Sequence, residues 1–157
     1  MLLPAEGDFR LEDEAATTRL GASLAHALAV GDAICLWGPL GAGKSTLARG
    51  LIRALTSPTE DVPSPTFTLV QFYDAPGLKL AHFDLYRITR AAEVDEIGLD
   101  EALDDGAAII EWPERLEDHL PPNRLDIEIA VAGSGADEHR TARLDPHGTW
   151  EGRPIEF

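Results

Sequence analysis

The chain has 157 residues, the size of one ordinary domain, and 44% of them are hydrophobic, enough to bury a core. Acidic residues outnumber basic ones 28 to 13, for a formal net charge of −15. That balance excludes the broad basic footprint of a nucleic-acid binder and leaves room for a protein partner. The start, MLLPAEGDFRLEDE, has neither a basic n-region nor an apolar h-region, and no apolar run approaches the roughly eighteen residues of a membrane span. A cytoplasmic location with no membrane contact is therefore expected. The lone Cys35 sits in an apolar run and reads as a small core residue.

In chain order, residues 8–11 can form a short edge strand. Residues 12–30 read as a helix, with Ala15, Leu20, Leu24, Ala27 and Leu28 at helical spacing, stopped by Gly31-Asp32. Residues 33–37, AICLW, are a short continuous apolar run, as in a buried parallel strand. A glycine loop follows, then a helix to about Leu55 and a loop over 56–64. Residues 67–73 and 78–85 read as two strands joined by Ala75-Pro76-Gly77, an antiparallel hairpin. Residues 91–104 are helical with a break near Gly98, and 107–111, AAIIE, form a second buried strand ending in an acid. Residues 125–131 and 140–144 alternate as strands. Helices alternating with apolar strands, plus hairpins in the middle and at the end, predict a single α/β domain over 1–157, with a mixed parallel and antiparallel sheet.

The loop GPLGAGKST, residues 38–46, fits G-x-x-x-x-G-K-[ST] and holds Lys44, one of only two lysines in the chain. A loop wrapped round phosphate needs inward N–H groups, and glycine tolerates the dihedrals that this requires. The helix opening near Lys44 adds unpaired N–H groups and a positive dipole end. The loop positions Gly38, Leu40, Gly41, Ala42 and Gly43 are therefore candidate phosphate-binding residues. Lys44 should reach the β- and γ-phosphates, Ser45 should ligate Mg²⁺, and Thr46 is a candidate for the α-phosphate. The bland alternative is a glycine-rich turn with a surface lysine.

Such a loop needs a carboxylate for its metal, usually at a strand end in the same sheet. Glu111 ends AAIIE and Asp84 ends HFD, and residue type alone does not choose between them. Thr66 and Thr68 begin the predicted hairpin. Two residues apart on a strand, they would point the same way, and either hydroxyl could meet a γ-phosphate or its water.

Four segments in this order, GPLGAGKST, SPTFTLVQFYD, HFDLYR and IIEWPERL, resemble the TsaE (YjeE) family. The similarity runs from about Leu11 to the final strands. The resemblance implies a P-loop ATPase-like fold that binds ATP and Mg²⁺ and hydrolyses ATP slowly. It implies a role in forming threonylcarbamoyladenosine in tRNA, exercised on the TsaB–TsaD complex, with turnover resetting that complex. It matches Glu111 to a Mg²⁺ ligand, Asp84 to metal binding or hydrolysis, Trp112 to a position near the nucleotide, and Thr17 to a place by the base. The acidic surface then implies contact with a protein complex and not with tRNA itself. The chain departs from the family in Ser45, which keeps the hydroxyl, and in Pro39, which has no N–H to offer phosphate.

Two other classes compete. A small-molecule kinase would carry an arginine-rich lid, and the loop 56–64 has no arginine; Arg87, nearest to the motifs, reads as a surface residue. A GTPase-like switch would carry N-K-x-D, and neither Lys44 nor Lys79 lies in one. A switch that binds ATP without needing hydrolysis stays open.

Overall fold

The computed structural model describes residues 1–157. Its strands are β1 (Leu2–Pro4), β2 (Gly7–Leu11), β3 (Ala33–Trp37), β4 (Val70–Ala75), β5 (Leu78–Asp84), β6 (Gly106–Glu111), β7 (Arg124–Ala132), β8 (His139–Pro146) and β9 (Pro154–Glu156). Its helices are α1 (Glu14–Ala25), α2 (Lys44–Leu55), α3 (Glu93–Ile97) and α4 (Leu99–Asp105). Seven strands form one sheet in the order β2-β8-β7-β3-β6-β5-β4. The centre is parallel, with β3 between β7 and β6, and β6 beside β5. The flanks are antiparallel: β4 on β5 at one edge, β7 on β8 and β8 on β2 at the other. The single mixed α/β domain expected from the sequence is the fold found.

Alternation along the central strands sorts their side chains to two faces. Ile34, Leu36, Leu80, Ala107 and Ile109 join one core with Leu20, Leu24, Leu47 and Leu51 from α1 and α2. Ala33, Cys35, Ala81, Phe83, Ala108 and Ile110 join the other with Val94 and Leu99 from α3 and α4. The face that takes Leu80 and Ile109 must also take His82, Asp84 and Glu111, two and four positions on. The sheet thus delivers three polar side chains to the face of α2.

Helices α1 and α2 approach through two glycines. A Cβ on Gly21 would stand 2.3 Å from the Leu47 carbonyl oxygen, and one on Gly50 would stand 2.6 Å from the Thr18 carbonyl oxygen. Only a hydrogen at these positions permits that backbone contact.

Two readings are corrected. The first helix ends at Ala25, not near Val30. The chain beyond it is held by one long-range and one local bond: Arg153 donates to the Ala27 carbonyl, and the Ala29 N–H donates to the buried Asp32 carboxylate. The strand expected from residue 67 begins at Val70. Residues 65–69 turn instead, with the Leu69 N–H donating to the Pro65 carbonyl at 2.7 Å and Leu69 at φ 69°. The C-terminal segment, unassigned from sequence, supplies β9, which pairs antiparallel with β1.

Candidate functional site

The glycine loop leaves β3 and enters α2, as its spacing requires. Gly38, Gly41 and Gly43 have φ of 137°, 79° and 114°. At Gly38 a Cβ would also stand 2.5 Å from the Ile129 carbonyl oxygen, so the loop start is pressed against β7. Gly43 is the N-cap of α2 and no side chain caps it. The first N–H groups of the helix are therefore open to an anion. The Ala42 N–H is turned into the loop, donating to the Pro39 carbonyl at 3.3 Å, and Leu40 points outward, 74% exposed.

Lys44 is 5% exposed, folded back under the loop. Its Nζ donates to the Gly38 carbonyl at 2.6 Å and lies 3.4 Å from the centre of the Trp112 ring. Burial lowers its pKa below the ordinary lysine value, against the opposing pull of Glu111, Glu114 and Asp84. Trp112 is held at φ 60°, a backbone region that side chains of its size rarely adopt, and Tyr86 packs on it with ring centres 5.0 Å apart. Strain of this kind concentrates at functional sites.

The two candidate acids are neighbours. Asp84 and Glu111 are register partners on β5 and β6, and both are nearly buried. Glu111 Oε1 stands 3.4 Å from the Ser45 hydroxyl. Its Oε2 is 2.7 Å from His82 Nε2. Asp84 Oδ1 accepts the Tyr86 N–H at 3.0 Å, and Oδ2 accepts the Thr66 hydroxyl at 3.1 Å. Thr66 in turn is 2.7 Å from the Ser64 hydroxyl. An open cleft is lined by Lys44, Ser45, Thr46, Ser64, Thr66, Asp84, Glu111 and Trp112. Ser45 and Glu111 offer oxygen donors from two elements to one point, which suits a hard cation such as Mg²⁺ bound by few protein ligands.

Thr68 lies outside this group. It is exposed and accepts a bond from Gln71 at 3.2 Å, because the turn at 65–69 breaks the alternation that would have aligned it with Thr66. Arg87 stacks over the Phe67 ring at 4.4 Å, and it does not line the cleft.

A second hollow lies on the other side of residues 41–43, and Thr17 from α1 lines it. His139 and Arg140 from β8 line it too, and Arg140 reaches the Gly41 carbonyl at 3.5 Å. Sequence reading missed these two, since nothing local marks them; they arrive through the β2-β8-β7 pairing. It also missed His82, which was findable by strand alternation, two residues before Asp84.

Fold and site together define an α/β protein built on a strand–glycine loop–helix unit, with a lysine, a hydroxyl and two acids facing one cleft. The family model described as threonylcarbamoyl adenosine biosynthesis protein TsaE matches residues 11–141. Among relatives named tRNA threonylcarbamoyladenosine biosynthesis protein TsaE, the one from Bacillus subtilis is 39% identical over 123 residues, 78% of this chain and 74% of its own. That from Rickettsia felis is 35% identical over 121 residues, 77% of this chain and 71% of its own. The crystal structure of YdiB from B. subtilis superposes with a TM-score of 0.70 at 33% identity, covering 94% of this chain and 87% of that one. The chain belongs to the TsaE family. None of its helices is long and apolar enough to cross a membrane.

Proposed function

We propose that this protein binds ATP with Mg²⁺, hydrolyses it slowly alone, and so supports formation of threonylcarbamoyladenosine in tRNA by acting on the TsaB–TsaD complex. The observation that carries the reading is the meeting of Lys44, Ser45, Thr66, Asp84 and Glu111 at one cleft beside an uncapped helix N-terminus. Lys44 and the loop N–H groups hold the phosphates. Ser45 and Glu111 hold Mg²⁺, which when bound offsets charge on the phosphate oxygens. Asp84, oriented by Thr66 and the Tyr86 N–H, holds the attacking water and accepts its proton. Trp112 walls the cleft, and Thr17, with His139 and Arg140, faces the base side. No arginine lines the phosphate side, which fits slow turnover that a partner accelerates. A protein partner is favoured by the acidic surface and by Leu40 and Phe67, exposed apolar side chains next to the cleft.

The test is ATP hydrolysis by the purified protein, alone and with TsaB and TsaD, with Lys44→Ala as the blank. A slow rate that rises sharply with the partners supports the reading. A rate indifferent to them overturns it and directs the search to a phosphate acceptor.

A further inference from the structure

His82 is 2% exposed and lies on β5 with its Nε2 2.7 Å from Glu111 Oε2, itself on a side chain that is 4% exposed. The other ring nitrogen, Nδ1, is buried and has no hydrogen-bond partner. A buried N–H left without an acceptor is costly, whereas an unpaired lone pair is a smaller loss. The arrangement therefore places the ring hydrogen on Nε2, donating to Glu111, and leaves Nδ1 bare. A ring that served only to fill space would not need this nitrogen aimed at the carboxylate.

The consequence for Glu111 is directional. Its Oε2 is taken by His82, and its Oε1 faces the Ser45 hydroxyl. Asp84 contrasts in length: its oxygens accept bonds at 3.0 and 3.1 Å, whereas the Ser45 hydroxyl donates to Glu111 Oε1 only at 3.4 Å. Of the four carboxylate oxygens at these two strand ends, Glu111 Oε1 has the longest protein bond, so a cation can take it with least competition. We infer that His82 is a positioning residue: by donating from Nε2 it fixes the Glu111 carboxylate so that Oε1 is presented, with Ser45, to the cation that accompanies the nucleotide. This rests on the nucleotide reading above and adds to it the side chain that aims the metal-holding acid. Partners one step removed from a metal in this way commonly carry ~10–100-fold of its affinity.

The test measures binding and not turnover. Affinity for a non-hydrolysable ATP analogue is titrated with and without Mg²⁺ for the wild type, His82→Gln, His82→Asn and His82→Leu, each checked by circular dichroism. The glutamine amide can reach the Nε2 position; the asparagine amide stops at that of Nδ1, and leucine has no donor. The Mg²⁺-dependent gain in affinity should fall ~10-fold or more in the Asn and Leu variants and return in Gln, with metal-free affinity changed less than about twofold. If Leu fails to fold, the Asn and Gln pair decides by the same ratio. A variant whose affinity falls equally with and without Mg²⁺ would mark His82 as merely structural and overturn the inference. So would a Mg²⁺ gain unchanged in Asn and Leu while the wild type shows one. A wild type whose affinity ignores Mg²⁺ would overturn the nucleotide reading, and this inference with it.

Discussion

Asp84 and Glu111 stand opposite one another on adjacent parallel strands, yet the protein employs their oxygens differently. Each Asp84 oxygen accepts one protein bond, from the Tyr86 N–H at 3.0 Å and the Thr66 hydroxyl at 3.1 Å, and keeps a lone pair for water, whereas Glu111 Oε1 has only the 3.4 Å bond from Ser45. The pair therefore divides into an acid tied to the turn at 65–69 and an acid tied to the helix that opens at Lys44.

That division predicts a separation of phenotypes. Asp84→Asn keeps the shape and the acceptor for Tyr86 and removes the basic oxygen. Nucleotide affinity should stay within about threefold of wild type while turnover drops ~100-fold, the usual scale for losing a general base. Equilibrium binding and single-turnover hydrolysis on the same preparation check this. Unchanged turnover would remove Asp84 from the chemistry.

Lys44 predicts a pH dependence with two opposite signs. Burial lowers its pKa in the folded protein below the ordinary value of 10.5. Between the lowered and the ordinary value, the unfolded chain holds a proton that the folded chain has lost. The Lys44 contribution to stability therefore rises with pH across that window. Phosphate prefers the ammonium form, so nucleotide affinity should fall with pH over the same window, and binding there should take up a proton. Calorimetric titration in buffers of different ionisation enthalpy reads that uptake. In Lys44→Ala, affinity should collapse by ~100-fold or more, and the proton uptake should vanish.

The readability of this protein from sequence tracks how local each cause is. The glycine loop, the two buried strands and the hairpin at 75–77 are set by dihedral preference and apolar runs within ten residues, and those elements form where expected. The overlong first helix came from reading Ala27 and Leu28 as helical spacing. The Ala27 carbonyl is held by Arg153, more than a hundred residues away in the chain, and the Ala29 N–H by Asp32. Thr66 and Thr68 could not be told apart because the turn at Leu69 is fixed from outside, by the Asp84 N–H donating to the Leu69 carbonyl at 2.9 Å. His139 and Arg140 reach the loop only through sheet topology, which no window of sequence encodes.

The α1–α2 crossing makes a prediction about stability that is independent of the site. Gly21→Ala must displace the Leu47 carbonyl, and Gly50→Ala that of Thr18, both backbone atoms that cannot swing aside. Alanine is the better helix former by up to about 1 kcal/mol, so propensity alone would favour both changes. Overpacking of this kind costs ~1–3 kcal/mol or more and should win. Both variants should unfold at lower denaturant concentration than wild type, with unchanged m-values. A rise in midpoint would mean that the helices can separate at little cost.

Trp112 predicts an optical signal. The chain has three tryptophans; Trp150 is fully buried in the core, and Trp37 donates its indole N–H to Asp126 at 3.0 Å. Only Trp112 lines the cleft, with the Lys44 ammonium 3.4 Å from its ring centre. A phosphate that draws Lys44 away from the Gly38 carbonyl changes its place over the indole, because one Nζ makes both contacts. Moving a cation over the ring face changes the excited state of the indole. Adding nucleotide should therefore shift the intrinsic fluorescence, and the shift should be absent in Trp112→Phe even though binding persists. A shift of equal size in Trp112→Phe would place the responding group elsewhere and argue that Lys44 keeps its present contacts when the cleft is filled.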